Sequence, residues 1–169
     1  MAIVDKFNFA ALDMAEDPDD YRPNSKLALV VDPGDDENGL VENMTVFKEQ
    51  IAAGDKIPLH QHSIDEILFV NKGSIEVSLG NRKHKVADGA VVFIPAKVAH
   101  GFKNIGKNPA DIVAVFPSRE VDINYLDRNP APGTEKQAPG DPIAIDIREF
   151  VLGKVENAIR PVDRGIFRV

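Results

Sequence analysis

Through residues 27–116, apolar runs of four to seven residues, rich in Val, Ile and Phe, are separated by Gly, Asn, Asp and Pro. That is the pattern of short strands joined by tight turns. It predicts strands over 27–31, 41–51, 66–71, 74–79, 83–86, 90–94, 100–105 and 111–116. Helical periodicity is absent from this stretch, so the class is all-β, and many short strands with turn signals point to a sandwich, jelly roll or barrel. Gly80-Asn81, between two alternating runs, reads as a two-residue hairpin turn.

The flanks read differently. Residues 1–25 are acidic and carry a short helical turn around 9–16, so they are expected as an N-terminal arm on a barrel spanning 26–117. Residues 118–169 are expected as a C-terminal arm that packs on the barrel or on a partner subunit. Its Pro-rich stretches at 129–133 and 138–142 lack the backbone donors of a central strand. Beyond them Ile143, Ile145 and Ile147 alternate with polar or small residues, which predicts one further strand with a buried face.

Composition narrows the chemistry. A chain of 169 residues is most economically one domain, and it contains no Cys. Disulfides, thiolate metal sites and cysteine nucleophiles are therefore excluded. The formal net charge of −7 argues against a nucleic-acid partner, and the basic run Arg82-Lys83-His84-Lys85 reads as a solvated strand. No stretch matches a leader peptide or reaches the roughly 18 apolar residues of a membrane span. A cytoplasmic protein with no membrane partner is the expectation.

The candidate chemistry lies in GDKIPLHQHSIDEILFVNKG, residues 54–73. Side chains two apart on a strand share a face, so His60 and His62 can aim both imidazoles at one point. Glu66 has the same parity and opens the run Glu66-Ile67-Leu68-Phe69-Val70, where a charge at the inner edge of an apolar strand needs a partner. A divalent ion is one such partner, and imidazole plus carboxylate suits Fe, Mn, Ni, Co, Cu or Zn. Alone, such a pair reads more readily as a solvated turn. The second stretch, GAVVFIPAKVAHGFKN at 89–104, adds His100, which another barrel strand could deliver as a third nitrogen ligand. The fourth histidine, His84, lies among Arg and Lys and reads as exposed.

Together these stretches resemble the two conserved motifs of the cupins. The first has Gly54, five residues, His60-x-His62, three residues, Glu66, six residues and Gly73. The second has Gly89, five residues, Pro95, then His100 and, after three residues, Asn104. Nine positions agree across the pair, and one departs: Lys97 stands where the family usually has Gly. The resemblance covers residues 26–117 and implies a double-stranded β-helix, or jelly roll. It implies one divalent ion per chain held by His60, His62, Glu66 and His100. Fe(II) is the first expectation, with Mn, Ni, Co, Cu or Zn as alternatives. It also implies a homodimer with an arm crossing to the partner.

Three functional classes stay open on these residues. The first is an Fe(II)-type dioxygenase acting on a small enolic, phenolic or carbonyl compound. The second is an isomerase, cyclase or lyase that uses the ion as a Lewis acid, and the third a non-catalytic small-ligand binding module. One barrel rather than two, no cysteine pair, a carboxylate ligand and no helix-turn-helix set aside oxalate-degrading bicupins, germin-like proteins, thiol dioxygenases and cupin-type regulators respectively. Leu68 and Val70 share the parity of Glu66, and Phe102 that of His100, so these three are either substrate-pocket wall or plain core. Lys97 either reaches an anionic substrate or is an exposed turn residue. Glu42, Lys48, Glu76 and Tyr125 are possible acid–base groups that parity cannot place.

Overall fold

The computed structural model describes residues 6–13, 17–30 and 43–168. Its strands are β1 (Ala10–Leu12), β2 (Arg22–Leu29), β3 (Thr45–Ile51), β4 (Lys56–Gln61), β5 (Glu66–Lys72), β6 (Ser74–Leu79), β7 (Arg82–Ala87), β8 (Val91–Ile94), β9 (His100–Asn104), β10 (Ala110–Phe116), β11 (Glu120–Tyr125), β12 (Ile143–Asp146) and β13 (Ile159–Pro161). Two short helices, α1 (Ile147–Val151) and α2 (Val155–Ala158), and a 3₁₀ turn, Arg164–Phe167, accompany the last strands. No described helix is long and apolar enough to cross a membrane.

The strands form two antiparallel sheets, ordered β1-β2-β3-β10-β5-β8 and β13-β12-β11-β4-β9-β6-β7. Neighbours in each sheet come from distant parts of the chain, which makes this a jelly roll rather than a meander. Alternation along each strand sends one set of side chains between the sheets. There Ile51, Leu68, Val70, Ile75, Val77, Ile94, Phe102, Ala110 and Ile112 form one buried core. A smaller cluster of Phe116, Val121 and Ile147 fills the end nearer the C-terminal strands. Burying each large apolar side chain stabilises the fold by about 1.5–3 kcal/mol, enough in sum to tolerate a polar site in the middle.

Two glycines set how closely the sheets and turns pack. Gly73 links β5 to β6 at φ 99°, and a Cβ there would lie 2.9 Å from the Cα of Ala110. At Gly101 a Cβ would meet the carbonyl oxygens of Ile57 and Pro58 at 3.0 and 3.2 Å. Gly101 therefore lets β9 press against β4 where that ladder shifts register, between Ile57 and His60.

Every predicted strand appears where the chain is described, although Val31, Val41 and Glu42 lie outside the described residues. Gly80-Asn81 joins β6 to β7 with Leu79 opposite Arg82. One expectation is overturned. The described part of 9–16 is not a helical turn, because Ala10–Leu12 pairs antiparallel with β2. A single helical turn gains almost nothing against its nucleation cost, whereas an open strand edge supplies ready partners. Two inner strands escaped the sequence pattern. β4 carries the first histidine, and β11 lies on the C-terminal side of residue 117. The flanks are stitched together: Tyr21 N–H donates to the Asn129 carbonyl at 2.9 Å, and Asn129 N–H to that of Asp19 at 2.7 Å.

Candidate metal centre

Strand pairing assembles the site. Tyr125 on β11 stands opposite His60 on β4, and His60 opposite His100 on β9. Partners across a ladder share a face, so all three side chains project inward. His62 follows β4 directly, and Glu66 opens β5 from the facing sheet. His60, His62, Glu66 and His100 are all buried, and one ligand atom from each lies within 4.8 Å of every other.

Hydrogen bonds on the far side of each ring fix what the centre offers. Nδ1 of His60 meets the Pro58 carbonyl at 2.7 Å, Nδ1 of His100 the Val98 carbonyl at 2.8 Å, and Nδ1 of His62 the Asp122 carbonyl. A carbonyl can only accept, so each Nδ1 carries a proton and each ring turns its Nε2 inward. Burial, with the neighbouring His100 and His62 rings, holds His60 well below the ordinary histidine range. Burial lowers His62 too, against the opposing pull of Glu66. His60 and His62 are therefore neutral ligands at neutral pH.

Three imidazole Nε2 atoms and a carboxylate thus converge. His100 Nε2 lies 3.0 Å from Glu66 Oε2, yet both atoms are buried without a hydrogen-bond partner. Acceptors facing each other in a dry interior are costly unless a cation lies between them. The donor set fits a divalent first-row ion, and the residues that could hold it are the four read from the motifs.

The chain supports this shell from three sides. The Asp122 carboxylate accepts from Ser63 N–H at 2.6 Å and from the Ser63 hydroxyl, pinning the turn that carries His62. Phe116 packs edge-on against His62 with ring centres 5.0 Å apart, and Phe102 lies 5.8 Å from His100. The Lys97 backbone N–H donates to the His62 carbonyl at 2.7 Å, with Lys97 itself at φ 69°. The turn thus keeps a left-handed residue where the family usually has Gly, at a cost of about 1–2 kcal/mol. The Lys97 ammonium donates to the Arg168 carbonyl at 3.0 Å. Leu68, Val70 and Phe102 are all within the main core, and His84 is exposed.

A second polar group shares the interior. Arg22 donates to both oxygens of Asp20, at 2.7 and 2.6 Å, and to Oε1 of Glu49. Glu49 projects inward from β3. Burial raises the Glu49 pKa despite Arg22, with Asp20 and Glu66 adding to the rise. Burial opposes the Arg22 charge, but Glu49 and Asp20 more than restore it. Tyr125, its ring 6.1 Å from His60, donates to Asp17 at 2.6 Å; burial and then the Asp17 charge hold it far above the ordinary phenol range.

Of the residues whose placement was open, Tyr125 is therefore inside. Lys48 pairs outward with Asp111 at 2.7 Å and Glu76 with Lys83 at 2.8 Å. Glu42 lies outside the described residues. Glu49, Arg22 and Asp122 were not singled out in the sequence. Parity with Thr45, Phe47 and Ile51 could have placed Glu49 inside, whereas nothing local marks Arg22 or Asp122.

Comparison with known proteins agrees with this geometry. A family model described as "Cupin domain" matches residues 47–116. An uncharacterized protein of Streptomyces coelicolor is 35% identical over 75 residues, 44% of this chain and 71% of that protein. Among solved structures, the polyketide cyclase RemF of Streptomyces resistomycificus superposes with a TM-score of 0.56 at 19% identity, covering 78% of this chain and 89% of its own. A cupin-superfamily sugar phosphate isomerase of Silicibacter pomeroyi gives 0.55 at 18% identity, covering 82% and 77%. Identities this low speak to the fold alone. With both motifs, the matched domain and the two-sheet jelly roll in agreement, the chain belongs to the cupin superfamily.

Proposed function

We propose that this protein is a metal-dependent enzyme acting on a small oxygenated organic molecule, with His60, His62, Glu66 and His100 as the ligands of one divalent ion. The observation that supports it is the convergence of three Nε2 atoms and a carboxylate at a buried point, where Glu66 Oε2 and His100 Nε2 lack a hydrogen-bond partner. When bound there, an ion polarises a substrate oxygen, and Fe(II) adds reactivity toward dioxygen. The protein's own part is positional. Backbone carbonyls hold the three rings, Asp122 fixes the His62 turn, and Phe102 and Phe116 limit water beside them. The first form of the proposal is an Fe(II)-type dioxygenase on an enolic, phenolic or carbonyl substrate.

Glu49 favours a second form. A buried carboxylate in the same interior whose pKa burial raises is suited to taking up and returning a substrate proton. Isomerases, cyclases and lyases need that group, whereas oxygen insertion alone does not. Metal analysis combined with an oxygen-uptake screen over small carbonyl, phenolic and enolic compounds tests the proposal. Metal-dependent oxygen consumption supports the dioxygenase, and undiminished anaerobic turnover supports the second form. Full activity after complete metal removal would sink both. Tight ligand binding without turnover of any compound would leave a binding module.

A further inference from the structure

Three of the four residues of the metal centre stand at strand ends. Glu66 is the first residue of β5, His100 the first of β9, and His62 lies just beyond β4. His60 is held inside its strand, opposite Tyr125 on one side and His100 on the other. All four are at most 5% exposed. An ion can therefore enter or leave only through a local opening, and strand ends open more readily than strand centres. The turn between β8 and β9 closes this edge, and Lys97 lies in the middle of it.

Lys97 is the one described residue other than glycine with positive φ, 69°. A glycine would fit the turn without strain and would keep both backbone bonds, the N–H to the His62 carbonyl at 2.7 Å and the carbonyl that accepts from Gln61 Nε2 at 2.7 Å. What only the lysine adds is its ammonium, which donates to the Arg168 carbonyl at 3.0 Å, just past the 3₁₀ turn Arg164–Phe167. From that turn a second arm returns to the same place. Arg164 Nη1 donates to Asn124 Oδ1 at 3.4 Å, and Asn124 Nδ2 to Gln61 Oε1 at 3.1 Å. The hydrogen bonds thus close a circuit from Lys97 through the C-terminal turn, β11 and β4 back to Lys97. Asn124 stands opposite Gln61, on the face away from Tyr125, yet is only 4% exposed. The turn itself is well anchored: Phe167 is buried, Asp163 accepts from Gly165 N–H at 2.5 Å, and Arg164 also reaches the Gly140 carbonyl and Asp141, each at 3.2 Å.

We infer that the C-terminal 3₁₀ turn is a clasp on the metal centre, fastened by Lys97, and that exchange of the ion requires it to open. The inference rests on the metal-binding reading proposed above. At residue 97 the clasp holds two of the ligands by their backbone. One is His62, through its carbonyl. The other is His100, because the turn closed by Val98 N–H to the Pro95 carbonyl at 3.2 Å presents the Val98 carbonyl to the His100 ring at 2.8 Å. Lys97 is accordingly a positioning residue, and a strained backbone is retained where it serves such a role.

The test is the rate at which Zn(II)-loaded protein surrenders its ion to excess chromogenic chelator. Lys97→Met keeps both backbone bonds and removes the ammonium. It should release the ion about 5- to 30-fold faster, the lower part of what a charge-assisted hydrogen bond carries once solvent screening is allowed for. The sign is diagnostic, since loss of a nearby positive charge would by itself slow the departure of a cation. Lys97→Arg, which can still reach a carbonyl, should restore the wild-type rate. Arg164→Met unfastens the other arm, so the double variant should release no faster than the faster single one. Urea unfolding of the metal-stripped variants should stay close to wild type. A wild type that binds no Zn(II) or other divalent ion sinks the metal reading and the clasp with it. A wild type that holds its ion beside a Lys97→Met that releases it no faster overturns the clasp alone, as do rates that multiply in the double variant.

Discussion

Filling the metal centre should stabilise the whole domain by an amount that two routes estimate alike. Without an ion, Glu66 Oε2 and His100 Nε2 are buried 3.0 Å apart with no partner. Each such orphan costs about 1–3 kcal/mol. Satisfying both should therefore recover ~2–6 kcal/mol. Linkage gives a second figure, since an ion at one hundred times its dissociation constant stabilises by about 2.7 kcal/mol. In a domain of this size each kcal/mol moves the midpoint by roughly 2–4 °C, so repletion at the linkage figure should raise it by ~5–11 °C. The assay is thermal unfolding of chelator-stripped protein titrated separately with each candidate divalent ion, with elemental analysis of the refilled samples. About one ion per chain should return. His62→Ala and His100→Ala should each remain folded and lose both the bound ion and the shift. A midpoint indifferent to every ion would refute the reasoning, as would a full shift in either variant.

Four further outcomes follow from particular contacts. Asp122→Ala removes two bonds to Ser63 but not the carbonyl that holds His62; metal affinity should fall about 10- to 100-fold while the fold persists, as read by competition with a chromogenic chelator. Gly73→Ala combines a φ of 99° with a 2.9 Å approach to Ala110 and should cost ~2–5 kcal/mol in urea unfolding; a loss below about 1 kcal/mol, half the lower bound, would mean the turn relaxes. Burial raises the Asp17 pKa against the hydrogen bond from Tyr125, so Asp17 contributes stability that is full below its unfolded pKa and lost as pH rises through the folded one. Asp17→Asn should then gain on the wild type from acid to neutral pH, and a difference constant across that range would exclude the assignment. Glu49→Gln should leave metal content intact and slow turnover of whatever substrate the screen identifies by about 10²- to 10⁴-fold if the carboxylate moves a proton; an unchanged rate removes it from the chemistry.

Much of the fold was legible because strand periodicity is local. β6 matched residue for residue, and β5, β7, β8, β9 and β10 matched to within a residue or so. β4 was missed because KIPLHQ mixes a proline and polar residues into an inner strand. β11 was missed because Glu120–Tyr125 has two charges and an asparagine among its six residues. Its Asp122 looks like a solvated position and is in fact a buried clamp on the His62 turn. The helical turn at 9–16 failed for the opposite reason. A weak local preference gave way to the unpaired edge of β2, which nothing in the neighbouring residues announces.

Spacing alone, His60-x-His62 with Glu66 and His100, determined which side chains could share an ion, because strand parity and a conserved-looking turn length are properties of consecutive residues. The sequence also excluded thiolate chemistry outright. Only the tertiary structure decided that the three Nδ1 protons are spent on backbone carbonyls, which turns the Nε2 atoms toward the centre. Only it brought Glu49 and Arg22, from strands distant in sequence from the motifs, into the same interior. The clasp from Lys97 to Arg168 likewise exists only once the C-terminal turn lies against β4 and β11. Each of these depends on pairing between residues far apart in the chain, and such pairing is fixed by the packing of two whole sheets rather than by any stretch of sequence.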